Sequence, residues 1–196
     1  MTATRSRGPW TLILIALICV LPIALAWMLK ENPRWLQGRM NYGRLIEPAK
    51  PLDRQRFFRG ADNASAAMRE ISGRWVLLQI TRGCGPACET ALYKTKQIRL
   101  MLDKDLLRVR RLLVFSAGAP GKRAAALRGR DPHLLLGRCD EALLDEFSVA
   151  TGELLREGTV WLLDPLGNLM MWYPPGFDPY GVKADLKRLL QVSQIG

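Results

Sequence analysis

The sequence predicts an α/β domain with a mixed β-sheet flanked by helices, preceded by one N-terminal transmembrane helix. Three observations predict it: a long uncharged run near the N-terminus, several short apolar runs, and stretches of helical spacing between those runs. The predicted order is strand, helix, strand, helix, strand, strand, helix. A buried parallel βαβ unit followed by an antiparallel hairpin and a helix gives a mixed sheet.

The first element is the apolar run from Trp10 to Leu29, which has no charged side chain and is interrupted only by Pro22. At about 1.5 Å per residue, such a run spans a hydrocarbon core about 30 Å thick. The alternative is a cleaved secretory signal, with Ala24-Leu25-Ala26 as its cleavage site. Either interpretation sends the rest of the chain to a membrane or across it.

The charges that flank this run bear on its orientation. Arg5 and Arg7 precede it, whereas four basic residues follow it closely, namely Lys30, Arg34, Arg39 and Arg44. Long domains cross the membrane largely regardless of such charges, and a short basic stub suits an N-in, C-out anchor. We therefore predict a cytoplasmic stub over 1–9, an anchor over 10–29 in a bacterial inner membrane, and a C-terminal domain in the periplasm.

Prolines and glycines punctuate residues 30–60 too often for a long helix, which predicts a juxtamembrane linker there. The folded domain is then expected over 61–196. It begins with a short helix, Ala64 to Ile71, for which Asn63 is a plausible cap. A strand follows from Trp75 to Ile80.

The remaining elements follow from periodicity and from turn residues. Apolar residues recur at helical spacing over 88–103, and the run within 110–115 suits a buried strand. A helix is predicted over 138–149. The turn Asp164-Pro165-Leu166-Gly167 joins two strands into a hairpin, and Asp178 caps a last helix that has Pro179 at its first position.

The formal net charge is +11, from 29 Lys and Arg against 18 Asp and Glu. Such a charge is common in nucleic-acid-binding proteins, but the sequence has no zinc-finger, RNP-type or helix-turn-helix signature, and an exported domain does not meet nucleic acid. We predict no nucleic-acid partner. A basic face near anionic lipid headgroups and docking onto an acidic partner are the two interpretations. The sequence also has no glycine-rich phosphate loop and no haem-attachment spacing, so no nucleotide, flavin or haem site is predicted.

Cys84 and Cys88 are the candidate functional residues. They lie four positions apart in a CxxxC arrangement, where the strand 75–80 is predicted to give way to a helix. Two thiols at such a junction can close a small disulfide or hold a soft metal ion. A helix N-terminus favours the thiolate, which is the nucleophile and the metal ligand. We expect Cys84 to lie on the loop, partly exposed, and Cys88 in the first helical turn; a purely structural disulfide is the alternative.

These motifs resemble the Sco/SenC branch of the thioredoxin-like fold. The similar stretches are Gly73-Arg74-Trp75-Val76-Leu77-Leu78, the CxxxC pair followed by a helix, and Leu162-Leu163-Asp164-Pro165-x-Gly167. The resemblance covers roughly residues 70–192. It implies a thioredoxin-like domain that is membrane-anchored, faces the periplasm or intermembrane space, and helps to assemble the copper centre of cytochrome c oxidase.

The resemblance implies that Cys84 and Cys88 correspond to the family's two thiolate copper ligands. The family's third ligand is a histidine, and this chain has Arg156-Glu157-Gly158-Thr159 where it is expected. The only histidine, His133, lies far earlier in a basic loop, and we interpret it as a surface residue. Two thiolates suit Cu(I), whereas Cu(II) would lack its nitrogen ligand.

The other residues near the pair have simpler interpretations. Cys19 is an apolar filler of the membrane segment. Cys139 is a buried or idle thiol, and the alternative is that it resolves a mixed disulfide. Arg82, two residues before Cys84, either stabilises a thiolate or is a solvated loop residue.

Three hypotheses for function follow. In the first, the protein is a thiol-disulfide oxidoreductase that assists assembly of the oxidase copper centre; Cys84 attacks a disulfide of the partner and Cys88 resolves the intermediate. In the second, it is a carrier that holds Cu(I) between the two thiolates and passes it to an oxidase subunit or another copper-assembly protein. In the third, it is a non-catalytic interaction protein whose disulfide is structural.

Overall fold

The computed structural model describes residues 8–31, 41–59, 64–116, 121–152 and 156–193. The chain divides into two compact units, Met1–Met40 and Asn41–Gly196.

The described part of the first unit is the helix α1 (Gly8–Glu31). Its stretch Ile13–Glu31 has a mean hydropathy of 2.5 and is long and apolar enough to cross a membrane. This helix coincides with the predicted membrane segment. An anchor and a signal sequence both have this length and composition, so the two alternatives from the sequence both stand.

The second unit alternates strands with helices. Its strands are β1 (Arg44–Pro51), β2 (Trp75–Thr81), β3 (Val109–Phe115), β4 (Leu134–Arg138), β5 (Val160–Leu163) and β6 (Asn168–Tyr173). Its α-helices are α2 (Ala64–Ile71), α3 (Pro86–Leu100), α4 (Gly121–Arg130), α5 (Glu141–Thr151) and α6 (Pro179–Val192). Two 3-10 helices cover Arg54–Phe57 and Asp103–Arg108.

The six strands form one mixed sheet in the order β1-β6-β5-β2-β3-β4. The pairs β2–β3 and β3–β4 are parallel, whereas β2–β5, β5–β6 and β1–β6 are antiparallel. The predicted combination of a βαβ unit with a hairpin is therefore confirmed. Every residue of the central strand β2 is buried, because apolar side chains cover both faces of the sheet.

The alternation of side chains along β2 divides the core into two layers. Val76, Leu78 and Ile80 belong to the cluster that also contains Phe147 of α5. Trp75 and Leu77 belong to the opposite cluster, together with residues of α3 and α6 such as Ile98 and Leu186. The end of β2 therefore reaches the surface from between two packed layers, and this end carries the candidate site.

The structure differs from the predicted elements in three places. β1 pairs with β6 inside the range predicted as a linker, and α4 and β4 were not predicted. The prolines of β1, Pro48 and Pro51, are compatible with its position at the edge of the sheet. The predicted helix 138–149 begins only at Glu141, because Arg138 still pairs within the sheet. The proposed cap Asn63 lies outside the described residues.

Candidate functional site

Cys84 and Cys88 lie at the junction of β2 and α3, as predicted, and are joined by a disulfide with a Cα–Cα distance of 5.0 Å. Cys84 precedes Gly85, the N-cap of α3, and Cys88 lies in the first turn of the helix. The backbone of Cys84 has φ = +52°, in the left-handed region that residues with a Cβ seldom adopt.

Two side chains hold the loop in this conformation. The Thr81 hydroxyl oxygen accepts hydrogen bonds from the backbone N–H of Cys84 at 2.8 Å and of Gly83 at 3.3 Å. The hydroxyl donates in turn to Oε1 of Glu157 at 3.2 Å. Oε1 of Glu157 also accepts a hydrogen bond from the backbone N–H of Gly85 at 2.6 Å. Three consecutive amides of the disulfide loop therefore converge on one hydroxyl and one carboxylate.

Glu157 belongs to the stretch 156–159, in which the resemblance led us to expect a histidine ligand. The next residue, Gly158, has φ = +87°, and a Cβ at this position would lie 3.0 Å from the Ala87 carbonyl oxygen. The turn that carries Glu157 thus packs closely against the disulfide loop. His133 lies in the exposed turn before β4. Within the described ranges, no group of three or more His, Cys, Asp or Glu residues is arranged to hold a metal ion.

The disulfide is buried. Cys84 and Cys88 are each only 1% exposed, so the expected partial exposure of Cys84 is wrong. The two cysteines form an apolar cluster with side chains of α3, β3, α4 and β4, namely Leu92, Leu113, Phe115, Leu127 and Leu134. Through Leu127, the helix α4 is thus one of the elements that bury the disulfide.

Arg123 of α4 fixes this helix to the loop. Its guanidinium donates to the Cys84 carbonyl oxygen at 3.0 Å and forms an ion pair with Glu89. Sequence reasoning missed this contact because α4, GKRAAALRGR, is rich in arginine and glycine and has few large apolar side chains from which a buried stripe could be recognised.

A cleft of about 540 Å³ lies beside the disulfide loop. Its lining combines apolar side chains at its base with charged groups, namely Ile80, Leu144, Thr81, Ser148, Arg82, Asp145 and Glu157. Arg82 and Glu157 are both exposed. Arg82 is therefore a solvated residue next to the site, and the cleft borders the Glu157 side of the loop.

The remaining thiols are separate from this site. Cys139 is buried between β4 and α5, and burial, with a smaller contribution from the Asp140 charge, raises the pKa of its thiol to about 11. At neutral pH this thiol is protonated and unreactive, in agreement with its interpretation as a buried thiol. Cys19 is exposed on α1.

Comparison with solved structures identifies similar folds. Apo Sco1 from Thermus thermophilus is 21% identical, with 76% of this chain and 96% of that chain covered and a TM-score of 0.57. Yeast Sco1 is 14% identical over 64% of this chain and 84% of that chain, with a TM-score of 0.51. Copper-bound ScoI from Arabidopsis thaliana is 11% identical over 64% and 89%, with a TM-score of 0.50. Identities this low establish the fold alone, and they confirm the predicted similarity to Sco proteins at that level.

Family comparison covers both units of the chain. No curated protein matches the sequence. Residues 2–31 match the family described as "Transmembrane-like, N-terminal domain", in agreement with the apolar helix α1. Residues 75–193 match the family described as "Transmembrane-like, thioredoxin-like, C-terminal domain", which is more than half of the chain. The protein is therefore a member of this transmembrane-like, thioredoxin-like family.

Proposed function

We propose that this protein is a membrane-anchored, periplasm-facing thiol-disulfide oxidoreductase that works through Cys84 and Cys88. The observation that carries the proposal is the disulfide at the end of β2 and the start of α3, in a thioredoxin-like domain. A helix N-terminus beside the two sulfurs favours the thiolate that exchange requires.

The exchange proceeds from the reduced form in two steps. The Cys84 thiolate attacks one sulfur of a partner disulfide, which forms a mixed disulfide and releases one partner cysteine as a thiolate. The Cys88 thiolate then attacks Cys84 in the mixed disulfide, forms the Cys84–Cys88 bond and releases the second partner cysteine. Two electrons pass to the partner, and the two protons of the original thiols end on the partner's cysteines.

The burial of both cysteines adds a requirement to this scheme. A partner sulfur cannot approach a residue that is 1% exposed, so the contact between α4 and the disulfide loop must open before exchange. The contact consists of a small apolar cluster and the Arg123 side chain, which is a small enough set of interactions to open locally.

The similarity to Sco proteins supports a more specific partner. We propose that the protein keeps a copper-binding cysteine pair reduced, on a subunit of cytochrome c oxidase or on another copper-assembly protein. A single anchor in the bacterial inner membrane, with the domain in the periplasm, places the thiols on the side of the membrane where such a partner is exposed.

Cu(I) carriage is the second candidate, favoured by the proximity of the two cysteines and by the copper bound in the Arabidopsis relative. In this chain Glu157 stands where a histidine ligand was expected, so copper as cargo would depend on the two thiolates. Cu(I) accepts two soft ligands.

Two measurements on the full-length protein in detergent test these proposals. Equilibration with glutathione buffers gives the reduction potential, which we expect between about −270 and −120 mV, the range of thiol-exchanging proteins. A potential below about −300 mV would identify a structural disulfide and overturn the exchange proposal.

Anaerobic competition of the reduced protein with a chromogenic Cu(I) chelator tests the second candidate. One bound Cu(I) that is lost in both Cys84→Ser and Cys88→Ser supports carriage, and failure to compete with the chelator excludes it. Cys139→Ser is the matched control, because this thiol is buried away from the site.

A further inference from the structure

Thr81 and Glu157 act together on the backbone of the disulfide loop. Thr81 is 4% exposed at the end of β2. Its hydroxyl oxygen accepts hydrogen bonds from the N–H groups of Gly83 and Cys84. The hydroxyl donates a hydrogen bond to Glu157, which also accepts one from the N–H of Gly85. The carboxylate comes from a turn 72 residues further along the chain, so this connection joins the disulfide loop to the start of β5.

The close approach of Glu157 depends on glycine. A Cβ on Gly85 would lie 2.9 Å from Oε2 of Glu157, which is closer than such atoms pack. The Glu157 carboxylate therefore occupies the space at the start of α3 that a side chain at position 85 would fill.

The contacts stabilise an otherwise unfavourable backbone. Cys84 has φ = +52°, and a residue in this region persists only where its surroundings hold it. The five groups in these contacts are three backbone N–H groups, one hydroxyl and one carboxylate oxygen, and none is a sulfur. The contacts can therefore persist after the disulfide is reduced. A loop held in this way keeps the Cys84 thiol near Cys88 and raises the effective concentration of one thiol at the other.

We propose that Glu157, with Thr81, is a positioning residue that sets the reduction potential of the Cys84–Cys88 couple by holding the reduced loop in its disulfide-forming conformation. The proposal rests on the proposed thiol exchange for its biological meaning. The reaction is the oxidation of two thiols to a disulfide, in which oxidised glutathione receives the two electrons and the two protons and becomes two glutathione thiols.

The test measures this equilibrium in the full-length protein in detergent, for wild type and for Glu157→Ala, Glu157→Gln and Thr81→Val. We expect Glu157→Ala and Thr81→Val each to favour the reduced form by about tenfold, which is ~30 mV for two electrons. Glu157→Gln keeps an acceptor oxygen and should remain close to wild type. Because the two residues share one network, the double variant should show less than the sum of the single effects.

Asp145→Asn is the matched control, since Asp145 is an exposed carboxylate of the same cleft. Within the described part of the chain, the Asp145 carboxylate accepts no hydrogen bond from the disulfide loop. We expect Asp145→Asn, like Glu157→Gln, to stay close to wild type. A tenfold shift toward the reduced form in both of these variants would mean that charge acts on the couple rather than position, and would overturn the proposal. A Glu157→Ala protein that matches wild type would also overturn it.

Gly85→Ala provides an independent check, because the added Cβ would displace the Glu157 carboxylate although neither Thr81 nor Glu157 is substituted. It should shift the equilibrium in the same direction as Glu157→Ala; an unchanged equilibrium in Gly85→Ala contradicts the proposal. Thermal melts establish that each variant is folded. A wild-type disulfide as resistant to reduction as structural disulfides are would reject thiol exchange while leaving the shifts between variants measurable, so the two proposals fail separately.

Discussion

At the scale of single residues, the two cysteines differ in backbone setting although both are buried. Cys84 lies on the loop, before the N-cap, whereas Cys88 is fixed within the first turn of α3. Because Cys84 lies outside α3, we expect that its sulfur can become exposed without unwinding of the helix. This difference supports the roles assigned to them, with Cys84 as the attacking residue and Cys88 as the resolving residue.

These roles predict which single variant forms a stable mixed disulfide. Reduced Cys88→Ser should accumulate an adduct with glutathione on Cys84, because the substitution removes the thiol that would resolve it. Cys84→Ser should form the adduct several times more slowly. Intact-protein mass spectrometry after incubation with oxidised glutathione measures both rates. Equal rates for the two variants would contradict the assignment, and Cys139→Ser serves as the control.

At the scale of elements, α4 packs against the disulfide loop, and we expect it to control access to the sulfurs. Arg123 joins the helix to the Cys84 carbonyl and to Glu89, and Leu127 contributes to the apolar cluster around the sulfurs. At the other end of the helix, Asp131 forms an ion pair with Arg111 of β3. The end near Arg123 is thus the end that opens without breaking the buried ion pair.

Weakening this contact should speed reduction of the disulfide. Arg123→Gln removes a partly exposed charged contact, for which we expect a cost of about 1 kcal/mol or less, and hence roughly a fivefold faster reaction with a phosphine reductant. Leu127→Ala should act in the same direction and more strongly, because it creates a cavity next to the sulfurs. Arg128→Gln, an exposed change in the same helix, should leave the rate unchanged. If Arg123→Gln and Arg128→Gln react at the same rate, α4 does not control access.

The elements that the sequence predicted correctly carry strong local patterns. β2 is a continuous apolar run, and α6 has Asp178 at its N-cap, where the carboxylate accepts hydrogen bonds from Tyr180 and Gly181. The cysteine pair was found in the same way, from its spacing after a strand. α4 and β1 lack such patterns, since one is short and basic and the other is an edge strand with two prolines. Only tertiary contacts define them.

The role of Glu157 was also beyond prediction. It lies in the stretch in which the sequence comparison sought a histidine, and nothing near it in the chain indicates that its carboxylate reaches the N–H of Gly85. This contact depends on the fold bringing the start of β5 against the end of β2, where the two strands are antiparallel neighbours.

At the scale of the whole molecule, the net charge is +11, so the loss of any carboxylate charge adds to the excess of positive charge. Protonation of a carboxylate adds to the positive charge and releases a basic partner from its ion pair. Among the ion pairs of the described residues, Asp131–Arg111 is the most buried, with side-chain exposures of 12% for Asp131 and 3% for Arg111. Burial alone would raise the pKa of Asp131, but the hydrogen bond and charge of Arg111, together with Lys96, hold that pKa below its ordinary value.

This direction of shift predicts how stability depends on pH. Because the pKa of Asp131 is lower in the folded than in the unfolded protein, the unfolded state binds more protons near the ordinary carboxylate pKa. The contribution of Asp131 is therefore fully present above the unfolded pKa, about 4, and is lost as the pH falls through the lower folded value. Urea unfolding of the full-length protein at a series of pH values measures this loss.

Asp131→Asn isolates the contribution of this one group. At neutral pH the variant should be less stable by about 3 kcal/mol, because Arg111 is left as a buried charge without its partner. Its unfolding free energy should also fall less steeply than that of wild type as the pH is lowered below about 4. The reason is that the variant lacks the Asp131 carboxylate, which binds a proton more readily in the unfolded state. Asp145→Asn makes the same change in net charge at an exposed position and should retain the wild-type slope. If Asp131→Asn keeps that slope as well, the acid sensitivity of the domain arises from its other carboxylates, and the Arg111–Asp131 pair serves only to hold the end of α4 against β3.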